Sequence, residues 1–481
     1  MSFPKNFIWG TATSSYQIEG AVTEDGKGRS IWDDFTRVPG KILDGSSGDV
    51  ACDHYHRFRE DVKLMAEMVV KNYRFSICWP RVLPEGTGRV NPAGIQLYSD
   101  LVDCLLAHGI RPFVTLFHWD LPSALHHKGA WLNDEMPEWF AEYTRVVAQA
   151  LGDRVKDYFT INEAQCVIGS SYVSCELAPG IPHTTPDIIR MTHNLLKAHG
   201  RAVQVLREVV PDAKVGYAPC GTVAVPATDS PEDVEAARQQ YFGVPDAGTA
   251  IGWNIAWFSD PVCLGRYPEE GLRHYGQYLP EGWEKDMALI AQPLDFYAQN
   301  IYQGQLYKAG ENGPEPVPFP AGQPRTAIGW PVIPDCLYWG AKFLCERYKL
   351  PLIITENGMS CHDAVSLDGQ VHDPNRIDFI HRYLLALKKA IDEGVEVSGS
   401  VPLYLQALHY TWEDLEFARH RDRQQRIWNV KPPRAEVCLN LDIRQTGLGG
   451  NSCGPEPEAR YRFPIKAEKW SVTLSGNEAN H

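Results

Sequence analysis

Seven short runs of apolar, β-branched or aromatic residues recur along the chain, each followed by a long stretch with helical patterning. This alternation restricts the fold more than any other feature. The runs are Phe7 to Thr13, Asn72 to Ile77, Pro112 to Phe117, Tyr158 to Asn162, Lys214 to Ala218, Leu294 to Asn300 and Leu352 to Glu356. They are continuous rather than alternating, as parallel strands covered on both faces are. Between them lie amphipathic stretches at Tyr55 to Met68, Gly94 to His108, Met136 to Leu151, Ile188 to Val209 and Arg376 to Asp392. In the last, Ile377, Ile380, Tyr383, Leu384, Leu387 and Ile391 recur at helical spacing.

Seven such units in succession predict an α/β fold, a single-domain (β/α)8 TIM barrel over residues 1–400, rather than an open sheet. The eighth strand is expected near Val397 to Leu405, where the pattern weakens and Pro402 is an awkward residue for a central strand. Without that strand, the barrel would be left with open edges. Residues 401–481 read as an atypical C-terminal segment and a poorly ordered tail. The Pro/Gly-rich stretch Gly310 to Gly329 reads as a long loop.

Composition excludes several functions. The net charge of −14 argues against partners such as nucleic acid or an anionic membrane surface. No run approaches the roughly 20 apolar residues of a membrane span. The first residues lack the apolar core of a secretory signal, so a cytoplasmic protein is expected. The 12 cysteines contain no Cys-x-x-Cys pair, which suits scattered thiols in a reducing compartment. His54 and His56 read as structural residues rather than metal ligands. Fourteen Trp and 21 Tyr suit stacking on sugar rings as well as filling a large core.

Catalytic groups of such barrels sit at the C-terminal ends of strands. Two predicted strand ends carry a carboxylate beside an amide: Asn162-Glu163 closes the fourth, and Glu356-Asn357 closes the seventh. Glycosidic bond hydrolysis needs two carboxyl groups, one to protonate the leaving oxygen and one to attack the anomeric carbon or activate a water. Either Glu alone reads as a cap or a surface charge. Together, at two strand ends, they point to glycoside hydrolysis.

The chain also resembles the family 1 glycoside hydrolases of the β-glucosidase type. The resemblance rests on Phe7-Ile8-Trp9-Gly10-Thr11-Ala12-Thr13-Ser14-Ser15-Tyr16-Gln17-Ile18-Glu19-Gly20 and on Tyr73-Arg74-Phe75-Ser76 with Trp79 and Arg81. It extends to Thr115-Leu116-Phe117-His118-Trp119-Asp120-Leu121-Pro122 and to the two Glu motifs, over residues 1 to about 395. It implies a retaining β-glucosidase acting on aryl glucosides and short oligosaccharides, with a small-molecule β-glucoside or cello-oligosaccharide as its partner and no metal or organic cofactor.

The roles it implies are specific. Glu163 would be the acid/base, and Glu356 the nucleophile, supported by Arg74 and positioned by Tyr302. Asn162 would bond the sugar 2-hydroxyl, and Gln17, His118 and Trp119 would grip other hydroxyls. Asn300, in the Asn300-Ile301-Tyr302 segment, belongs to the substrate-binding set, and Trp330 would be a platform for the leaving group.

Four departures from the family pattern stand out. Ala164 replaces a common Pro, and Cys78 a common Ser whose loss would loosen the surroundings of Arg74. Val69 stands where relatives carry Gly after a helix. After Val397-Ser398-Gly399 the family's sugar-binding Trp and Glu segment cannot be recognised. Trp412-Glu413-Asp414-Leu415-Glu416-Phe417 offers similar residues in a register that does not match, and an altered reading frame in the source gene would explain the change of text. Two alternatives follow: a 6-phospho-β-glycosidase, or a catalytically impaired sugar-binding barrel.

Overall fold

A computed structural model describes residues 3–404, apart from 43, 247 and 370. Eight parallel strands form a closed barrel: β1 (Ile8–Ala12), β2 (Asn72–Ser76), β3 (Arg111–Phe117), β4 (Asp157–Asn162), β5 (Lys214–Ala218), β6 (Phe296–Asn300), β7 (Leu352–Glu356) and β8 (Val397–Tyr404). Around the ring their order is sequential, with β8 paired to both β7 and β1. The eighth strand thus lies where the sequence places it, and it closes the ring. The pairing explains how β8 tolerates Pro402. Trp9 faces Ser400 and Thr11 faces Leu403, so β8 carries one extra residue between these pairs, and the proline lies in that irregularity.

The longest helices on the outside are α1 (His54–Glu67), α2 (Pro92–Ala107), α3 (Met136–Leu151), α4 (Thr185–Val209), α5 (Asp335–Tyr348) and α6 (Pro374–Asp392). Local chemistry sets their ends. Pro92, Pro137, Pro186 and Pro374 stand in first turns, where no N–H is required. Thr184 and Asp187 form a reciprocal cap on α4.

Three helices end in the same Schellman turn, in which the chain passes through a left-handed residue. On α2 that residue is Gly109, at φ 70°, and on α6 it is Gly394, at φ 90°. On α1 it is Val69, at φ 62°, with its N–H on the Ala66 carbonyl and that of Val70 on the Met65 carbonyl, both at 3.0 Å.

Two cores result. Between strands and helices runs a large one that includes Val114, Leu116, Tyr158, Ile161, Val215 and Ile354. Inside the barrel, Phe113, Phe159, Ala218, Phe296, Ala298 and Ile353 form a plug, with the Phe159 ring 5.3 Å from that of Phe296. The plug leaves the upper barrel for polar side chains.

The stretch expected to be a loop at Gly310 to Gly329 begins instead in a hairpin. Gly304–Gly310 pairs antiparallel with Gly313–Pro316, and its other edge pairs with Val223–Pro226. Pro314 and Pro316 hid this short edge strand in the sequence; an edge position accommodates proline.

Candidate active site

Above the phenylalanine plug the barrel carries Arg74. Its guanidinium lies 4.9 Å from the centroid of the Phe159 ring, and its donors fan out to three strands. Nε donates to Thr115 Oγ1 at 2.9 Å, Nη2 to Asn162 Oδ1 at 2.6 Å, and Nη1 to Glu356 Oε1 at 2.7 Å. The second oxygen of Glu356 accepts the Tyr302 hydroxyl at 2.6 Å. Both carboxylate oxygens thus accept bonds from fixed donors, which settles the plane of the group.

Glu163 stands one residue past the end of β4 in a left-handed conformation, at φ 48°. Its N–H still reaches the Ala218 carbonyl on β5 at 2.7 Å. A non-glycine residue in this region is strained, and such strain collects at functional sites. Asn300 Nδ2 donates to Glu163 Oε1 at 2.7 Å and to Asn162 Oδ1 at 3.1 Å. The orientation of that amide is fixed because its oxygen accepts Thr355 Oγ1 at 2.7 Å.

Asn300, Asn162 and Arg74 therefore connect the two glutamates through an unbroken series of hydrogen bonds. Burial pushes the Glu163 carboxyl up to about 7, and the neighbouring Glu356 charge adds to the rise. The bonds from Asn300 and Cys166 and the charge of Arg74 oppose it.

His118 completes this layer. Asn162 Oδ1 is taken by Arg74 and Asn300, so its amide N–H faces His118 Nε2 at 3.1 Å. Nε2 then accepts, and Nδ1 carries the proton. Burial and the Arg74 charge hold this imidazole neutral, well below its ordinary range. Among the described residues, Nδ1 is buried without a protein partner, which leaves this donor for a water or a ligand hydroxyl. Trp119, in a left-handed conformation at φ 76°, anchors its Nε1 on the Asn162 carbonyl at 3.0 Å. Trp330 packs on Tyr302 with ring centroids 5.4 Å apart.

Glu163, Glu356, Arg74, Asn162, His118, Trp119, Asn300, Tyr302 and Trp330 are thus joined by direct contacts. Gln17 is not tied to them: it lies exposed on the short helix Ser15–Ile18, its Oε1 accepting from Ser14 Oγ at 2.5 Å. Thr115 and Thr355 are supporting residues that sequence reading passed over, although each lies inside a predicted strand. Cys78 faces Tyr98, whose hydroxyl accepts its N–H at 2.8 Å, and its thiol bonds Asp120. His54 Nδ1 lies 2.6 Å from Asp61, and His56 contacts Asp53 and Glu24 through its two ring nitrogens, so each already has carboxylate partners of its own.

Comparison with known proteins decides the family. The model of glycosyl hydrolase family 1 matches residues 1–406. The chain belongs to glycosyl hydrolase family 1. Among family 1 relatives, Beta-glucosidase A of Thermotoga maritima is 45% identical over 403 residues, covering 82% of this chain and 87% of that protein. Beta-glucosidase A of Acetivibrio thermocellus is 41% identical over 425 residues, 86% of this chain and 90% of that one.

A solved family 1 structure, the beta-glucosidase from Thermotoga maritima in complex with glucoimidazole, superposes with a TM-score of 0.75 at 44% identity, covering 83% of this chain and 88% of the other. A second family model, beta galactosidase small chain, matches residues 373–474 and extends beyond the described residues. The Trp412 to Phe417 cluster lies outside them as well.

Proposed function

We propose that this family 1 hydrolase is a retaining β-glucosidase, releasing terminal non-reducing β-D-glucosyl residues from aryl glucosides and short oligosaccharides. The observation that carries the reading is the pair of carboxyls in unlike surroundings: Glu163 buried and pushed up to about 7, Glu356 clamped between Arg74 and Tyr302. Unlike environments for two carboxyls divide their roles into acid and nucleophile. Two Thermotoga maritima structures support the sugar class, being complexes of a β-glucosidase with glucoimidazole and with cyclophellitol.

In the first step Glu356 attacks the anomeric carbon while Glu163 gives its proton to the departing oxygen. The nucleophile becomes a glycosyl ester and the aglycone leaves as an alcohol. Glu163, now a carboxylate, takes a proton from water as that water attacks the same carbon, and Glu356 is released. Tyr302 and Arg74 hold Glu356 in line for attack. Asn162 and the unpartnered Nδ1–H of His118 grip sugar hydroxyls, Trp119 lines the same subsite, and Trp330 supports the aglycone.

Gln17 joins that grip on the strength of the family resemblance alone. No helix among the described residues is long and apolar enough to cross a membrane. The scattered cysteines support a cytoplasmic location.

The test is release of nitrophenol from nitrophenyl β-glucoside, with Glu356→Gln as control and the product anomer followed by NMR. Turnover in the parent alone, with β-glucose formed first, supports the proposal. Equal background from both proteins supports the impaired-barrel alternative, and first formation of the α-anomer excludes the double displacement.

A further inference from the structure

The residue that ends β4 has two sulfur neighbours that the reaction does not use. Cys166 lies three residues after Glu163, at the start of a π-helix (Cys166–Val173). Its thiol bonds Glu163. Cys220, two residues past the end of β5, brings its Sγ to 3.7 Å from Cys166 Sγ. Cys220 is held in place by Gln165, whose Oε1 accepts its N–H at 3.2 Å. The ligand atoms of Glu163, Cys166 and Cys220 all lie within 4.8 Å of one another.

From this geometry we infer that Glu163, Cys166 and Cys220 form an inhibitory site for a tetrahedral, thiophilic divalent cation of the zinc class.

The sulfur separation, that of two hydrogen-bonded thiols, suits a shared metal ion and not a disulfide. Two zinc–thiolate arms of about 2.3 Å, opened to a tetrahedral angle, span about 3.8 Å. The observed 3.7 Å matches. A disulfide needs about 2.05 Å, so the sulfurs would have to close by more than an ångström. A carboxylate oxygen supplies the third ligand and water the fourth, as in zinc sites built on three protein ligands. Access is open but narrow: Glu163, Cys166 and Cys220 keep 7%, 8% and 6% of their surface exposed, so an ion can enter by the route that serves the catalytic carboxyl.

Binding releases both thiol protons, and the Glu163 proton where present, to solvent. The bond with Cys220, and after it burial, raises the Cys166 thiol; Cys220, although its bond to Cys166 pulls it down, is pushed up by burial to about 11.

A second cluster makes a useful contrast. Cys361, Asp363 and Asp373 also bring ligand atoms together, but both carboxylates already pair with the Arg376 guanidinium. A resident cation fills that place.

The inhibitory consequence rests on the reading of Glu163 as acid/base, because a carboxylate bound to metal has no proton to give. The binding itself does not. The test uses full-length protein without an affinity tag. One equivalent of Cd2+ is added, and the cadmium–thiolate charge-transfer absorption is recorded for the parent, Cys220→Ala and Cys361→Ala.

The band is expected in the parent and in Cys361→Ala and absent from Cys220→Ala. In parallel, activity with and without Zn2+ is compared within each variant, so that altered basal rates cancel. The Zn2+ concentration for half inhibition is expected to rise at least about tenfold in Cys220→Ala, as loss of a ligand requires. A band of parental strength in Cys220→Ala, or none in the parent, overturns the site. If the protein hydrolyses no glucoside, the proposed function fails while the cadmium band still decides the site.

Discussion

Arg74 and Glu356 form a buried ion pair, with Nη1 2.7 Å from Oε1 and side chains only 2% and 5% exposed. The same guanidinium serves Asn162 and Thr115. A lysine is a single compact charge and cannot satisfy three partners on separate strands. Arg74→Lys is expected to lower kcat by about 10²–10³, the range for losing one preorganised electrostatic contact. Arg74→Met leaves the carboxylate buried and unpaired, at a cost of about 3–5 kcal/mol, and should unfold at a clearly lower temperature. Steady-state kinetics and a melting curve check both. A lysine variant with parental kcat would show that charge alone suffices.

The Asn300 amide sets the working pH of Glu163 from the other side. Its bond to Oε1 favours the ionised carboxyl and so lowers the pKa against burial and the Glu356 charge. Removing the donor lets the pKa rise. A hydrogen bond to a charged group contributes about 1.5–3 kcal/mol, which is about one to two pH units. In Asn300→Ala the alkaline limb of kcat/KM, where the acid loses its proton, is expected to move upward by about one unit. A downward move would mean that Asn300 stabilises the protonated form.

These two relationships differ in how far they can be read from sequence. The strands β5 and β7 are legible to the residue, because buried parallel strands write unbroken apolar runs and Glu356 closes one of them. Arg74 and Glu163 follow from the same strand-end logic, helped by the motifs around them. The amide bridge from Asn300 to Glu163 is not legible, since β5 lies between β4 and β6 and only the folded barrel lets the Asn300 side chain reach past it.

The sulfur pair is hidden for the same reason: Cys166 and Cys220 are 54 positions apart, and local spacing rules look for Cys-x-x-Cys. Pro402 misleads in the other direction. It argues against a strand wherever the ladder is regular, and only the extra residue in β8 makes room for it.

Val69 is the left-handed residue of the α1 turn, where α2 and α6 use glycine. Its side chain is 68% exposed, so it contributes little packing to offset the strain. The left-handed region costs a side-chain-bearing residue about 1–2 kcal/mol, and the greater freedom of glycine in the unfolded chain returns part of that. Val69→Gly is expected to raise the melting temperature by about 1–3 °C with unchanged kinetics. An unchanged or lower melting temperature would show that the valine is not strained.

The protonation of Glu163 also ties stability to pH. Its carboxyl titrates at about 7 in the folded protein against an ordinary value of 4.5. Between these values the folded state holds a proton that the unfolded state has lost, so stability falls as pH rises through this window. The rise corresponds to about 3 kcal/mol at full extent, shared with the Glu356 charge that helps cause it. Glutamine keeps the shape and the acceptor for Asn300 but never ionises.

Glu163→Gln is therefore expected to melt close to the parent at pH 5 and about 2–5 °C higher at pH 8. The comparison is made by calorimetry at both pH values, with turnover lost at each. An equal difference at the two pH values would mean that the buried carboxyl keeps its ordinary pKa, and with it the acid role assigned to Glu163 would lose its physical basis.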